Sequence, residues 1–446
     1  MLDSFANILK VEELRKKLLF TVMALVVFRC GKYLPTPGIN LQAIADAFNN
    51  ADPNSPMSQL MSLADMFTGG ALRAGAIFGL GIMPYITSSI IFQLLCGIHP
   101  VLGKMQREPE GSKKIVQWTR VVTVGLCLVQ GVLICGYLLQ SRGAPDSYIV
   151  PAQVMSDFEF YFYGVTSLTV GTIFLMWLGE QIDVFGIGNG ASFIIMAGIV
   201  AQLPGTLSLI FHDINTGGMG AGGEISFGEL AILFAMFVGM VLAVVLLTLG
   251  QRRIPVQQAK ATRGRRVYGG ERSYLPLRVN QGGVIPIIFA QSILMIPNMI
   301  ASSVGIDTFS IYGYWYNVFY IAMIIFFCYF YAAITFNPKE MADNLQTSGA
   351  FIPGVRAGKR TAEHIEHIMT HIALAGSIFL SFVAIVPEAV SGIMDVRYQI
   401  ASFLGGTGLL IVVGVALDTV QRIEKHLMSR NYEGFVKGGR GIRGRQ

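Results

Sequence analysis

The stretch LGIMPYITSSIIFQLL, residues 80–95, has the apolar density of a membrane helix, yet it carries a proline, a threonine, two adjacent serines and a glutamine. Lipid hydrocarbon offers such groups no hydrogen-bond partner. The face bearing Thr87, Ser88, Ser89 and Gln93 therefore looks at something other than lipid. Outward from this stretch the chain keeps the same character: of 446 residues, 53% are hydrophobic and only 13% charged, against about 25% charged in a soluble domain. Mean hydropathy is +0.56. Apolar runs able to cross a hydrocarbon core ~30 Å thick, ~20 residues each, recur from end to end, at about 18–35, 74–97, 115–139, 157–178, 191–211, 227–249, 283–304, 314–336, 368–390 and 403–421. The chain reads as an all-α polytopic membrane protein, and a soluble-enzyme reading starts far behind.

Orientation follows from Lys and Arg, which accumulate in short cytoplasmic segments. With the N-terminus in the cytoplasm and sides alternating at each span, 28 of the 33 Lys and Arg fall to cytoplasmic segments. An odd number of spans, or the reverse orientation, destroys this asymmetry, so both termini are expected in the cytoplasm. The first span follows a helical, charged preface, VEELRKK (11–17), and has no small-residue cleavage site, so it is expected to be retained. The absence of a transit peptide points to a bacterial inner (plasma) membrane over an organelle.

Between spans the chain is generally short and polar, with three exceptions. The segment 36–59 is irregular, rich in Pro, Asn and Asp. It leads into LMSLADMFTGGALR (60–73), whose apolar part is too short to span and whose Gly69-Gly70 pair should break any helix. This piece is either an interfacial half-helix or a re-entrant segment in a protein-lined cavity. Residues 251–281 and 337–367 form two long cytoplasmic loops, the first dense in arginine and β-prone around Val267-Tyr268, the second rich in Gly and Pro turns. Positive-inside bias accounts for their charge but not their length, and long ordered loops tend to be functional; both are expected to dock a partner. The tail KGGRGIRGRQ (437–446) is basic and suits anionic lipid or an RNA backbone equally.

Other motifs carry less. Cys30, Cys96, Cys127, Cys135 and Cys328 fall in or beside apolar spans with no C-x-x-C or Cys/His spacing, so they read as small packing residues. GIGNG (186–190) resembles a phosphate loop but has no strand before it, and a tight turn accounts for it better. His364, His367 and His371 share a helix side without a fuller ligand set, which suits a solvated face. No Asp, Glu or Lys stands near the middle of any span, and no nucleophile–base constellation is present. That weighs against an ion-coupled transporter and against an intramembrane enzyme. An inverted-repeat transporter of a small solute stays open as the competing class; it predicts a midplane substrate site and uptake by this chain alone.

Six pieces carry a resemblance: FTGGALRAGAIFGLGIMPYITSSIIFQLL (67–95), MWLGEQIDVFGIGNGASFIIMAGIV (176–200), GQRRIPVQQAKATRGRRVYGG (250–270), LPLRVNQGGVIPIIFAQSI (275–293), FNPKEMADNLQTSGAFIPGVRAG (336–358) and FLGGTGLLIVVGVALD (403–418). In this order they resemble the SecY/Sec61-alpha family over essentially the whole chain. The resemblance implies the pore subunit of a protein translocase, passing unfolded secretory proteins across the membrane and releasing hydrophobic segments into lipid. It implies ten transmembrane helices in two pseudo-symmetric inverted five-helix halves with a re-entrant plug half-helix. By position, 1–17 is an amphipathic cytoplasmic N-terminus, 18–211 the first half including plug 60–73, 212–226 an outer hinge loop, 227–421 the second half with its two docking loops, and 422–446 a basic tail.

The resemblance also implies roles for individual residues. Ile82, Ile86, Ala191, Ile195, Ile288 and Ile411 match a ring of apolar side chains that seals the waist. Such a collar dewets and bars ions, yet yields around a passing chain. Leu60, Asp65, Phe67, Gly69 and Gly70 belong to the plug. Thr87, Ser88, Ser89 and Gln93 match one side of a lateral gate, and Asn280, Ser292 and Ile296 the other; polar bonds across such a seam are weak enough to be reversible, ~0.6–2 kcal/mol each. Arg252, Arg253, Arg265, Arg266, Lys339 and Arg356 match the surface that meets the ATPase SecA or the ribosome with its rRNA. Arginine pairs in bidentate fashion with carboxylate or phosphate. The implied partners are SecE, SecG, SecA, the ribosome, signal sequences, nascent secretory and membrane proteins, and the lipid bilayer. No catalytic residue, cofactor or metal is implied. The chain departs from the family at Ala191, where a branched residue is usual, and at Ala357, where proline commonly follows the second-loop arginine.

Overall fold

The computed structural model describes residues 11–50, 64–140, 148–149, 154–208, 227–258, 261–263, 266–268, 272–280, 282–304, 314–394 and 406–438. Leu60, Arg265, the expected hinge loop 212–226 and the end of the tail lie outside the described residues, as do the side chains of Arg266, Ser292 and Ile296. The described chain is chiefly helical and divides into two compact units, one of residues 1–209 and 411–446, the other of residues 210–410.

The first unit contains α1 (Glu12–Gly31), α2 (Leu41–Asn50), α3 (Met83–Ile98), α4 (Pro100–Arg107), α5 (Pro109–Gln140), α6 (Asp157–Phe185) and α7 (Gly190–Val200). It also holds the larger part, from Ile411 onward, of a last helix spanning Thr407–Gly438. Helix α5 packs on both α3 and α6, and α6 in turn on α1 and α7. Small residues permit the close approaches: Gly131 of α5 faces Val165, and Gly164 of α6 faces Cys135 Sγ. Around them Cys127, Leu138, Phe160, Val165 and Leu168 close a core with Leu80 and Ile149. Helix α6 starts on a reciprocal cap, in which Ser156 Oγ accepts from Glu159 N and Ser156 N donates to the Glu159 carboxylate.

The expected second span, 74–97, needs correction at its start. The helix begins at Met83, and residues 69–82 run as consecutive turns. The cause is local. Gly75 and Gly81 take φ of +56° and +61°, a region that a right-handed helix excludes and that glycine enters without a Cβ clash. Pro84 then falls in the first turn of α3, where its missing N–H is no loss. The turn-wound run is buried against its neighbours: the ring of Phe78 fills the space a side chain at Gly31 would need, and the carbonyl of Ile77 does the same at Gly171. Past Ile98 the chain bends by 110° into α4.

The second unit contains α8 (Phe227–Leu249), β1 (Gln251–Gln258), β2 (Ala261–Arg263), β3 (Arg266–Tyr268), β4 (Arg272–Arg278), α9 (Ile285–Val304), α10 (Tyr314–Thr335), α11 (Pro338–Thr347), β5 (Ala350–Phe351), α12 (Lys359–Met394) and the first turn of α13 (Thr407–Gly438). Helix α12 packs on α8, α10 and α11, and α9 on α10. The two long loops are joined: β1 pairs antiparallel with β4, and β5 of the second loop pairs with the far end of β1, Gln257 opposite Phe351 and Gln258 opposite Ala350. The second loop is also more helical than its Gly and Pro content suggests, since α11 and the early start of α12 occupy most of it.

Each of the ten expected spans contains a helix. Among the described residues, six helices are long and apolar enough to cross a membrane, or seven if the bent α3–α4 pair is one broken span. Helix α1 falls short because Arg15, Lys16, Lys17 and Arg29 interrupt its apolar run.

Candidate functional site

In the first unit the site starts at the segment after residue 63. A short helical stretch, 64–68, ends at Gly69 and Gly70, with φ of +69° and +81°. Asp65, Met66, Phe67, Thr68, Gly69, Gly70 and Ala71 are all buried. A helix lying on a surface keeps one face open; this one is enclosed by protein. Gly69 approaches Gly198 of α7 so closely that a Cβ on Gly69 would stand 2.8 Å from Gly198 Cα. Two side chains from elsewhere grip its main chain: Arg29 Nη1 donates to Gly69 O at 2.9 Å, and Gln202 Nε2 donates to Asp65 O at 2.6 Å. The Asp65 carboxylate turns back into the segment, Oδ1 accepting from Arg73 N at 2.9 Å. Burial strips water from this anion and raises its pKa above the ordinary carboxylate value. The bonds from Arg73 N and Leu72 N and the charges of Lys32 and Arg73 oppose that shift without cancelling it.

The four ring candidates of this unit other than Ile411 cluster near the α6–α7 junction and the start of α3. Ile82 precedes α3 and is 1% exposed; its carbonyl accepts from Ile86 N at 3.2 Å, which puts the two side chains one turn apart. A Cβ at Gly179 of α6 would stand 3.6 Å from Ile82 Cδ1, Ala191 N and Ile194 Cδ1 alike, so Ile82 and the start of α7 converge on that glycine. Ile195 is buried, while Ile86 and Ala191 are half-buried. Ile411 is buried on α13, and Ile288 is buried in the second unit on α9.

The junction that carries Ala191 is the GIGNG turn. Gly188 takes φ of +90°, Asn189 Oδ1 accepts from Ser192 N to cap α7, and Asp183 Oδ1 accepts from Gly190 N at 2.7 Å. Gly190 lies directly against the Gly179 carbonyl. Glycines here serve close helix approach, and the motif is a tight turn.

The polar residues of α3 separate by partner. Ser88 is fully buried and donates to Thr119 O of α5 at 2.7 Å, so its hydroxyl is occupied within the unit. Thr87 bonds back to Met83 O, Ser89 is half-buried and Gln93 is exposed. In the second unit Asn280 Nδ2 donates to Gly283 O and fixes the turn ahead of α9, where Gly283 takes φ of +59°. Gln291 of α9, passed over in the sequence reading, donates from Nε2 to Thr407 Oγ1 of α13 at 3.3 Å, and its Oε1 is buried without a partner among the described residues. The signal for it was there: an amide inside the apolar run 283–304. Arg29 and Lys32 were passed over in the same way, as charges at the end of the first apolar run.

The joined loops form a built surface. Ile254, Val256 and Leu277 of the sheet pack with Ala350 and Ile352 onto Ile365, Ile368, Met369 and Ile372 of α12. Arg252, Arg253, Lys339 and Arg356 are exposed. Arg356 stands in a turn between Gly354 and Gly358, with φ of +84° and +93°, and its carbonyl accepts from Thr361 Oγ1. Arg266 lies on β3 beside the tip. Further along, His367 and His371 are exposed with ring centroids 4.3 Å apart. Among the described residues no three His, Cys, Asp or Glu side chains could hold a metal ion.

Residues 76–420 match the family model described as SecY. The protein translocase subunit SecY of Thermotoga maritima is 39% identical over 451 residues, covering 100% of both chains. Among solved structures, one described as a protein-conducting channel aligns with a TM-score of 0.60 at 18% identity, covering 93% of each chain. Sec61 in the canine ribosome–channel complex from the endoplasmic reticulum aligns with a TM-score of 0.56 at 17% identity, again covering 93% of each chain.

Proposed function

Because this chain belongs to the SecY family, we propose that it is the central subunit of a protein-conducting channel, moving unfolded secretory proteins across a membrane and releasing apolar segments into lipid. It is a polytopic membrane protein of protein transport, and the family is a channel subunit with no known enzymatic activity of its own. The observation that supports the reading best is the segment 64–71, enclosed by protein and tied by its main chain to α1 and to Gln202. A channel that passes polypeptide needs such a removable stopper; a conduit for small solutes does not.

In this reading the segment belongs to the plug, 60–73, with Leu60 among its residues and Gly69 and Gly70 as its pivot. Ile82, Ile86, Ala191, Ile195, Ile288 and Ile411 form the waist, whose apolar side chains bar water and ions at rest. Thr87, Ser89 and Gln93 serve one side of the lateral gate, with Asn280, Ser292 and Ile296 on the other. Ser88 serves the α3–α5 contact first. The residues 18–211 and 227–421 act as the two halves, 212–226 as their hinge. A signal sequence entering at the gate displaces the plug and opens the waist; polar segments then cross and apolar ones leave sideways.

Force comes from outside. Arg252, Arg253, Arg265, Arg266, Lys339 and Arg356 receive SecA or the ribosome, and the sheet under them transmits the push to α12. SecE clamps the halves and SecG sits alongside. The chain lies in a bacterial inner membrane with both termini in the cytoplasm.

Crosslinking at the waist tests the reading. A single cysteine replaces Ile86 in a chain freed of its five native cysteines, reconstituted with SecE, SecA, ATP and a secretory protein stalled by a folded C-terminal domain. An adduct with the middle of the stalled chain, absent from a lipid-facing control, is expected. Translocation without an adduct removes Ile86 from the path, and no SecA-dependent translocation by an intact complex sinks the channel function.

A further inference from the structure

We propose that Arg29 and Gln202 form a latch that holds residues 64–70 by the backbone and sets how readily that segment leaves its seat. The proposal rests on reading the segment as the plug. Arg29 stands in the last turn of α1, Gln202 just beyond α7. Their acceptors, Gly69 O and Asp65 O, are main-chain carbonyls at the two ends of one short helical stretch. Carbonyls at and past the end of a helix lack a partner in the helix itself, so Gly69 O needs a donor from elsewhere. Asp65 O is also reached by Gly70 N at 3.0 Å and Thr68 Oγ1 at 3.1 Å, both within the segment. Gly69 O takes its bond from a cation.

The seat explains why side chains must do the gripping. Gly69 and Gly198 meet backbone to backbone, and a Cβ at Gly198 would stand 3.2 Å from Gly69 N and 3.3 Å from Phe67 O. No main-chain hydrogen bond joins the two, so among the described residues directional hold from outside the segment passes through Arg29 on one side and Gln202 on the other. Lys32 adds charge beside Asp65, its Nζ lying 2.7 Å from where a Cβ of Gly70 would be. Met66 and Phe67, about 5% and 6% exposed, supply apolar contact that is non-directional and survives small shifts. The Arg29 bond is lost when α1 draws back by about an ångström and the Gln202 bond when the end of α7 does, since a bond stretched beyond about 3.5 Å is no longer one. The latch therefore converts a small displacement of either helix into a weaker hold, and of both into release. Because it grips carbonyls, it tolerates changed side chains along the segment.

The test reads resting ion conductance of the full-length chain, with the subunits that co-purify, in planar bilayers. A bond from a charged donor is stronger than one from an amide. Arg29→Met is expected to raise resting conductance roughly tenfold and Gln202→Leu by about threefold, with Arg29→Lys falling well below Arg29→Met and unfolding midpoints unchanged. Deletion of 64–70 supplies the ceiling. If the deletion leaks while Arg29→Met and Gln202→Leu match the parent, the latch is wrong and the plug stands. If the deletion does not leak, the plug reading fails and the latch with it. Should Arg29→Met fail to assemble, Gln202→Leu decides alone. Arg29→Lys leaking as much as Arg29→Met overturns the hydrogen-bond role.

Discussion

Replacing Leu277 by alanine tests whether the docking loops are a folded platform or merely two flexible arms. Leu277 is 0% exposed, sits opposite Arg252 in the β1–β4 ladder and packs in the cluster that fastens the sheet to Ile365, Ile368, Met369 and Ile372 of α12. A strand pair alone is marginal in water, so the sheet depends on this cluster. Truncating a fully buried leucine costs about 2–5 kcal/mol, the upper part of that range applying where the cavity cannot collapse. Taking ~3 kcal/mol, local opening becomes more than about a hundredfold commoner, since 1.4 kcal/mol is a factor of ten. Hydrogen exchange in nanodiscs measures it directly: amides of 251–258 and 272–278 should exchange faster by that factor, while those of α5 and α6 keep their protection. Tyr274→Ala, on the same strand but with Tyr274 59% exposed, should change exchange by less than about threefold. Unchanged exchange in Leu277→Ala would falsify the platform, and loss of protection in α5 and α6 as well would show that the sheet is not a separately opening element.

Asp65 gives a pH dependence. Its docked pKa is raised above the ordinary aspartate value by burial, so its contribution to docking is complete below the ordinary value and fades as pH climbs through the raised one. Resting conductance should therefore increase with pH across that window, and Asp65→Asn, which keeps an acceptor for Arg73 N, should flatten the profile; a parent profile that is already flat, or one that falls, contradicts this. Gly190→Ala forces a methyl into the Gly179 carbonyl. It should cost about 1–3 kcal/mol or more, seen as a lower thermal midpoint, whereas Gly125→Ala, with open space around it, should stay within about 0.5 kcal/mol. Arg356→Glu should abolish SecA-driven translocation with the unfolding midpoint unmoved, because the side chain is exposed; a fall in stability instead would assign Arg356 to the fold.

Composition and hydrophobic runs are additive along the chain, so the membrane class, the ten apolar segments and the break at Gly69-Gly70 could be read without neighbours. The orientation reading rests on the same property, since Lys and Arg count wherever they stand. The GIGNG turn was legible too, because glycine without a preceding strand has few other uses. What a helix faces is a pairwise matter. Ser88 and Ser89 are adjacent and chemically alike, yet only the approach of α5 buries Ser88 and hands it Thr119 O. The start of α3 was misplaced for a related reason. Residues 74–82 are as apolar as a span, and hydropathy does not register the positive φ of Gly75 and Gly81 or the pressure of Phe78 on Gly31. Arg29 and Gln291 sit in apolar runs where a window average hides them, and their partners lie 40 and 116 residues away. Sequence by itself determined that this chain crosses the membrane many times. Tertiary packing alone decided which polar atoms are spent inside each unit, because a hydrogen bond needs a partner within about 3.5 Å and the order of residues does not specify distance.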